Sequence, residues 1–215
     1  DIPSDGVLLV RDGTYNEAVT VDTSGVKIAS KNGTGATELV PNPVADNNKA
    51  LLIDGVDDVT VDGLRVSLGA PQPDNSEKYA IRGRPDGSGD GPNNLTVRNC
   101  LVENITSEDV SSNSGAVRAA GIVIDLEPTR GLGPATMTNF VVENNEIRDI
   151  TCTSTGSNGD SRAKGIGANG DVDGASVVRN VVKNIGQDPE TDKPRGITLT
   201  EQSSTGTNKG AGTTN

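Results

Sequence analysis

Asn169-Gly-Asp171-Val-Asp173-Gly174 sets oxygen-bearing side chains at alternate positions, as a calcium loop presents hard donors. It matches the first half of an EF-hand-type loop. The twelfth position is Asn180 rather than Glu, and no helices flank it, so a solvated turn competes with calcium. Asp54-Gly-Val-Asp57-Asp58 is a second acidic turn. A cationic pattern is less expected in so acidic a chain. Lys49, Lys78, Arg118, Arg162 with Lys164, and Lys193 with Arg195 each precede an apolar stretch. Stacked, they would form a basic stripe. That stripe would either balance loop acids such as Glu77, Asp160 and Asp192 or form a track for an anionic polysaccharide or an acidic neighbour. Apart from calcium, no cofactor is implied.

Two cysteines, Cys100 and Cys152, could pair. In the repeat alignment below, Cys100 falls opposite Asn145 and Cys152 opposite Ser107. That offset is on the order of 20 Å along an extended strand. A disulfide needs Cα atoms within about 7 Å, so free thiols are expected. Asn32-Gly-Thr, Asn94-Leu-Thr and Asn104-Ile-Thr are glycosylation sequons, which favour an exported protein.

These residues are positioned by a repeat. Phe140-Val-Val-Glu-Asn-Asn-Glu-Ile-Arg-Asp-Ile-Thr151 is echoed from Leu95 to Thr106, from Ser176 to Gly186 and, more loosely, from Val59. Val61, Val97, Val142 and Val177 occupy one place in the four copies, at a period of about 35 to 45 residues that indicates a solenoid. Each copy alternates apolar and polar residues, with a break at Asp62-Gly63, Arg98-Asn99, Glu143-Asn144 or Arg179-Asn180. Asn, Asp and Gly tolerate the bent backbone of a corner, and the flanking Val and Ile favour strands. A second apolar series runs Ala50–Ile53, Ala80-Ile81, Gly121–Ile124, Gly165-Ile166 and Gly196–Leu199. One strand, a loop, a strand, an Asn corner and another strand make one three-sided coil. Val97, Val142 and Val177 should stack inward, as should Ile105, Ile150 and Ile185. Corner asparagines, Asn99 with Asn144 or Asn145 with Asn180, should bond from coil to coil.

The opening segment carries a resemblance. Val7-Leu-Leu-Val-Arg-Asp-Gly-Thr-Tyr-Asn-Glu-Ala-Val-Thr-Val21, then Gly25-Val-Lys-Ile28 and Asn32-Gly33, resembles the first rungs of the pectin-lyase-like superfamily, especially its carbohydrate-binding and sugar-hydrolase modules. The resemblance runs from residue 6 to about 200. It implies an all-β, right-handed parallel β-helix of about five or six coils and says little of function, since that fold carries lyases, hydrolases, esterases, adhesins and plain structural modules. The superfamily's galacturonan hydrolases are similar to one another in an essential His, which is absent here. Its lyases imply acidic calcium ligands beside a catalytic Arg or Lys. The best local counterpart is Arg82-Gly-Arg84-Pro-Asp86 with Asp90, which also reads as a Gly-rich loop closing a rung.

The net charge is −11, with 30 acidic and 19 basic residues, which argues against a nucleic-acid partner. It would suit a high-salt environment. No apolar run reaches membrane-span length. The expectation is one β-helix over residues 1–202 with a polar, flexible tail over 203–215. It would be an extracellular or cell-surface structural or adhesive protein whose partners are its own copies or neighbouring surface proteins. A lyase-like enzyme on an acidic glycan is the alternative. Open rungs at both ends, with no capping helix before Val7, imply either a longer solenoid or another copy as cover.

Overall fold

The computed structural model describes residues 3–41, 49–68, 77–85, 91–109, 117–126, 136–154, 161–186, 193–202 and 208–210. Its strands fall into six coils. The first holds β1 (Val7–Val10), β2 (Gly13–Tyr15) and β3 (Val19–Val21), and the second β4 (Lys27–Ser30), β5 (Thr37–Leu39) and β6 (Lys49–Asp54). The third holds β7 (Thr60–Asp62), β8 (Arg65–Ser67) and β9 (Lys78–Arg84), and the fourth β10 (Thr96–Arg98), β11 (Leu101–Asp109) and β12 (Val117–Asp125). The fifth adds a short strand, β13 (Thr136–Thr138), before β14 (Val141–Glu143), β15 (Glu146–Ser154) and β16 (Ser161–Asn169). The sixth does the same, with β17 (Asp171–Asp173), β18 (Ser176–Val178), β19 (Val181–Ile185) and β20 (Lys193–Gln202); β21 (Asn208–Gly210) ends the described chain.

Every strand of one coil pairs in parallel with its counterpart in the next. The sheet orders are β1-β4-β7-β10-β14-β18, β2-β5-β8-β11-β15-β19 and β3-β6-β9-β12-β16-β20. The chain is therefore a parallel β-helix of six three-sided coils, right-handed as parallel crossovers are. The four valines stack as expected, Val61 on Val97 on Val142 on Val177, and Ile28 and Leu8 continue the column downward. Ile105, Ile150 and Ile185 form another column. A third runs Val19, Leu51, Ile81, Ile122, Ile166, Ile197. Where the second and third sheets meet, space is tight: a Cβ on Gly121 would lie 2.6 Å from the Gly165 carbonyl oxygen and 2.8 Å from Ile147 Cγ2.

The corners are built from left-handed residues in register. Asp5, Gly25, Asp58, Asn94, Asn139 and Gly174 have φ between +54° and +76°, one in each coil just before the first sheet. Gly63, Asn99, Asn144 and Arg179 do the same between the first and second sheets. Short polar side chains suit this backbone because they bond locally. Asn94 Nδ2 donates to Asp58 Oδ1 at 2.7 Å and Asn139 Nδ2 to Asn94 Oδ1 at 2.8 Å, tying coil to coil.

Of the expected flexible tail over 203–215, only residues 208–210 are among those described, and they form a strand. β21 pairs antiparallel with β20, Thr200 opposite Gly210 and Gln202 opposite Asn208. The unpaired donors and acceptors along the end of β20 supply the reason, since a strand edge attracts any chain within reach.

Candidate functional site

The outer face of the third sheet carries most of the residues singled out for chemistry. Inward Ile81 and Ile122 alternate with outward Arg82 and Val123. Arg82 Nη2 donates to Asp125 Oδ2 at 2.7 Å, and its guanidinium lies 4.5 Å from the Tyr79 ring centroid. Tyr79 donates its hydroxyl to Glu77 Oε2 at 2.7 Å; burial, then the Glu77 charge, raises the phenol pKa. Arg84 reaches the previous coil and grips Asp54 with two bonds, 2.7 and 2.9 Å. Both arginines of the candidate lyase cluster are thus engaged by carboxylates of neighbouring coils. Asp86 and Asp90 lie outside the described residues.

This face is closed at its middle. Tyr79, Ala120 and Val123 form a second apolar cluster, each 2–3% exposed, and Asp125 is 4% exposed. Asp125 Oδ1 and Arg82 Nε are buried without a hydrogen-bond partner, so the ion pair is incompletely satisfied.

The basic stripe does not form as expected. One outward column runs Lys49, Tyr79, Ala120, Lys164, Arg195, so an aromatic and a methyl group interrupt the cations. Arg118, Arg162 and Lys193 make a parallel column two residues earlier. Lys78 leaves the stripe altogether. It is in register with Ala119, a core residue, and is 1% exposed. The reason is parity: Lys78 stands one residue out of step with Lys49 and Lys164, and a one-residue offset turns a strand residue to the opposite face. Lys164 itself is 7% exposed, with Nζ 3.1 Å from Asn169 Oδ1. Burial, then the charges of Arg118, Arg195 and Arg162, lower its pKa. Burial first, then Arg82 and Arg84, lower that of Lys49.

The calcium candidate is spread over two strands. Asn169 ends β16 and accepts the Lys164 bond, while Asp171 and Asp173 belong to β17 and pair with Thr136 and Thr138. Among the described residues no three acidic, His or Cys side chains converge as metal ligands. Of the sequons, Asn32, Asn94 and Asn104 are all exposed. Asn94 sits in a left-handed corner, Asn104 has φ +56° within β11, and Asn32 Nδ2 donates to Asp12 at 2.8 and 3.0 Å. Neither cysteine forms a disulfide and both are buried, in agreement with the register argument.

One constellation escaped the sequence reading. On the second sheet Glu103 is 3% exposed and sits between cations of two neighbouring coils. Arg65 Nε donates to Oε1 at 2.6 Å and Arg148 Nε to Oε2 at 2.7 Å. Arg65 also meets Glu38 at 3.3 Å, and Glu146 takes Arg148 at 3.1 Å and Lys183 at 2.9 Å. The result is an alternating ladder of charges along the axis. Its signal in the sequence is the opposite sign at one repeat position, Glu103 against Arg148.

The fold and its site together define a class: a parallel β-helix whose outward charges are spent on pairing its own coils. Among solved structures, the chain is similar to the pectin methylesterase from Yersinia enterocolitica, at 10% identity over 97% of this chain and 81% of that one, with a TM-score of 0.41. So loose a likeness carries no argument, and the architecture rests on the strand pairing itself. No family model and no curated protein matches the sequence.

Proposed function

We propose that this chain is a non-catalytic β-helical module of an extracellular or cell-surface protein. Its role is structural or adhesive, and its partners are its own copies or neighbouring surface proteins. One observation carries the reading. Arg82 and Arg84, the cations a lyase would turn on its substrate, are each held by a carboxylate of a neighbouring coil, on a face whose centre is buried. An enzyme needs its charges aimed at the place where charge develops in the transition state. Here they are aimed at each other.

A cleavage assay on acidic polysaccharides, with and without calcium, separates this reading from the lyase alternative. The expected result is no unsaturated product in either condition. Turnover that disappears in Arg84→Ala would overturn the reading. It would make Arg82, Arg84, Asp86 and Asp90 the site, with an anionic glycan as the partner and calcium as the ion to test at Asn169, Asp171 and Asp173. Glycosylation at Asn32, Asn94 and Asn104, all exposed, belongs to the same surface reading and is read from the intact mass of the native protein.

A further inference from the structure

Lys164, Asn169 and Asp125 bring an amine, a carboxamide and a carboxylate together on the outer face of the third sheet. Lys164 and Asn169 belong to β16, and Asp125 stands in register with Asn169 on the adjacent coil. The Lys164 chain lies along β16 over Gly167, where a Cβ would stand 3.4 Å from Lys164 Cδ. Val123 and Thr198 hold that position in the coils before and after, so the glycine opens the path. The path brings Nζ to 3.1 Å from Asn169 Oδ1. Asn169 is itself held in place, since its backbone carbonyl accepts the Leu126 N–H at 2.9 Å. The site is dry, with Lys164 7% and Asp125 4% exposed. Asp125 Oδ2 holds Arg82, while Oδ1 is buried with no hydrogen-bond partner among the described residues. A buried acceptor left open in this way calls for a group that brings it a proton. Burial, then the charges of Arg118, Arg195 and Arg162, push the Lys164 amine toward its neutral form, with Asp125 opposing them. A neutral, desolvated lysine is a nucleophile.

We propose that Lys164 and Asn169 join covalently, the Lys164 amine displacing ammonia from the Asn169 carboxamide while Asp125 carries the proton. Nζ bonds to Asn169 Cγ, and the proton it sheds passes through Asp125 Oδ1 to the departing amide nitrogen. The Cγ–Nδ2 bond then breaks and ammonia leaves. The product is a side-chain amide, and the step balances with no further reactant. Strand pairing holds the three groups in place, which makes the attack intramolecular. The crosslink goes beyond the structural reading above and does not depend on it.

A tryptic peptide map of the unsubstituted chain, folded and then denatured, gives the test. An acylated Lys164 resists trypsin, so the expected product is one peptide from Ala163 to Arg179, uncut at Lys164 and lighter by one ammonia. Cleavage after Lys164 at full mass would overturn the proposal. Cleavage after Lys164 with the ammonia still missing would overturn it too, because that is a succinimide closed at Asn169-Gly170 with the lysine untouched. Lys164→Met should restore the mass of the Asn169 carboxamide. Gly167→Val places in β16 the side chain that Val123 places in β12, and it should abolish the crosslink by blocking the path of Lys164. Asp125→Asn should lower the crosslinked fraction at least about tenfold at equal time after synthesis. An undiminished fraction in that variant would remove Asp125 from the chemistry. Circular dichroism checks that each variant folds, and the map of the unsubstituted chain decides the matter even where one does not. None of these outcomes moves the polysaccharide cleavage assay, so the crosslink and the structural reading fail separately.

Discussion

Asp62 shows how a single carboxylate serves this architecture. It takes Lys27 from the coil before at 3.0 Å, and Arg98 at 3.0 Å and Asn99 at 2.8 Å from the coil after. Partial burial pushes its pKa up, but the hydrogen bonds from Asn99, Lys27 and Arg98 outweigh it, and the net value is lowered. A carboxyl whose folded pKa is depressed adds stability above its unfolded value, and that stability is lost as pH falls through the folded one. Asp62→Asn should therefore be less stable than the parent at pH 7, and the gap should close below about pH 4. Denaturant midpoints at both pH values measure it, and a gap that persists in acid would refute the assignment. Cys100 makes the opposite case. Burial drives its thiol up to about 12, ahead of smaller backbone hydrogen-bond effects that lower it. Neither Cys100 nor Cys152 should alkylate in the native state, whereas both should in denaturant; rapid native labelling would contradict the buried placement. Arg179 is a local misfit, an arginine at φ +54° where Asn99 and Asn144 stand in the coils below. Its exposed pair with Glu143 adds little, and a non-Gly residue in this conformation costs about 1–2 kcal/mol. Arg179→Asn should leave stability unchanged or raise it by up to about 1 kcal/mol in urea unfolding.

At the scale of the element, the corner between the first and second sheets decides the register of the stack. Asn145, 2% exposed, accepts the Cys100 N–H at 2.9 Å and donates to the Val97 carbonyl at 3.0 Å. Asn180 repeats the arrangement one coil later, donating to the Val142 carbonyl at 2.8 Å. Asn145→Ala would leave a buried N–H and a buried carbonyl without these partners, a loss of about 1–3 kcal/mol for each group not rescued by water. A thermal melt that does not move would show that the ladder contributes nothing. This ladder was legible in the sequence, because Asn-Asn and Arg-Asn recur at one phase and only corners recruit such pairs. The valine columns were legible for the same reason: stacking demands one residue type at one place. The charges were harder to read. Lys78 looks like Lys49 and Lys164 in a list of basic residues, and only the strand register shows it turned inward. Glu103 looks like any surface acid until Arg65 and Arg148 are brought to its two sides. β13, β17 and β21 carry three residues each, too few for any periodicity to show.

At the scale of the molecule, the strands of each coil pair with those of the coil before and the coil after, so the helix is in the main a one-dimensional stack. Apart from the β20–β21 pairing, the sheet hydrogen bonds run between coils, along the axis of the stack. Tension on the two ends therefore loads the coil-to-coil joints in series, and the weakest gives way first. Released chain extends to about 3.4 Å per residue, so a coil of about 35 to 45 residues should lengthen the tether by roughly 120–150 Å when it peels off. A single-molecule pulling trace should show a sawtooth of such steps, and one all-or-none rupture would mean that the coils share load sideways. A stack built this way would behave under tension as an extensible tether, giving ground one coil at a time under a pull and regaining its length as coils reseat on the valine columns.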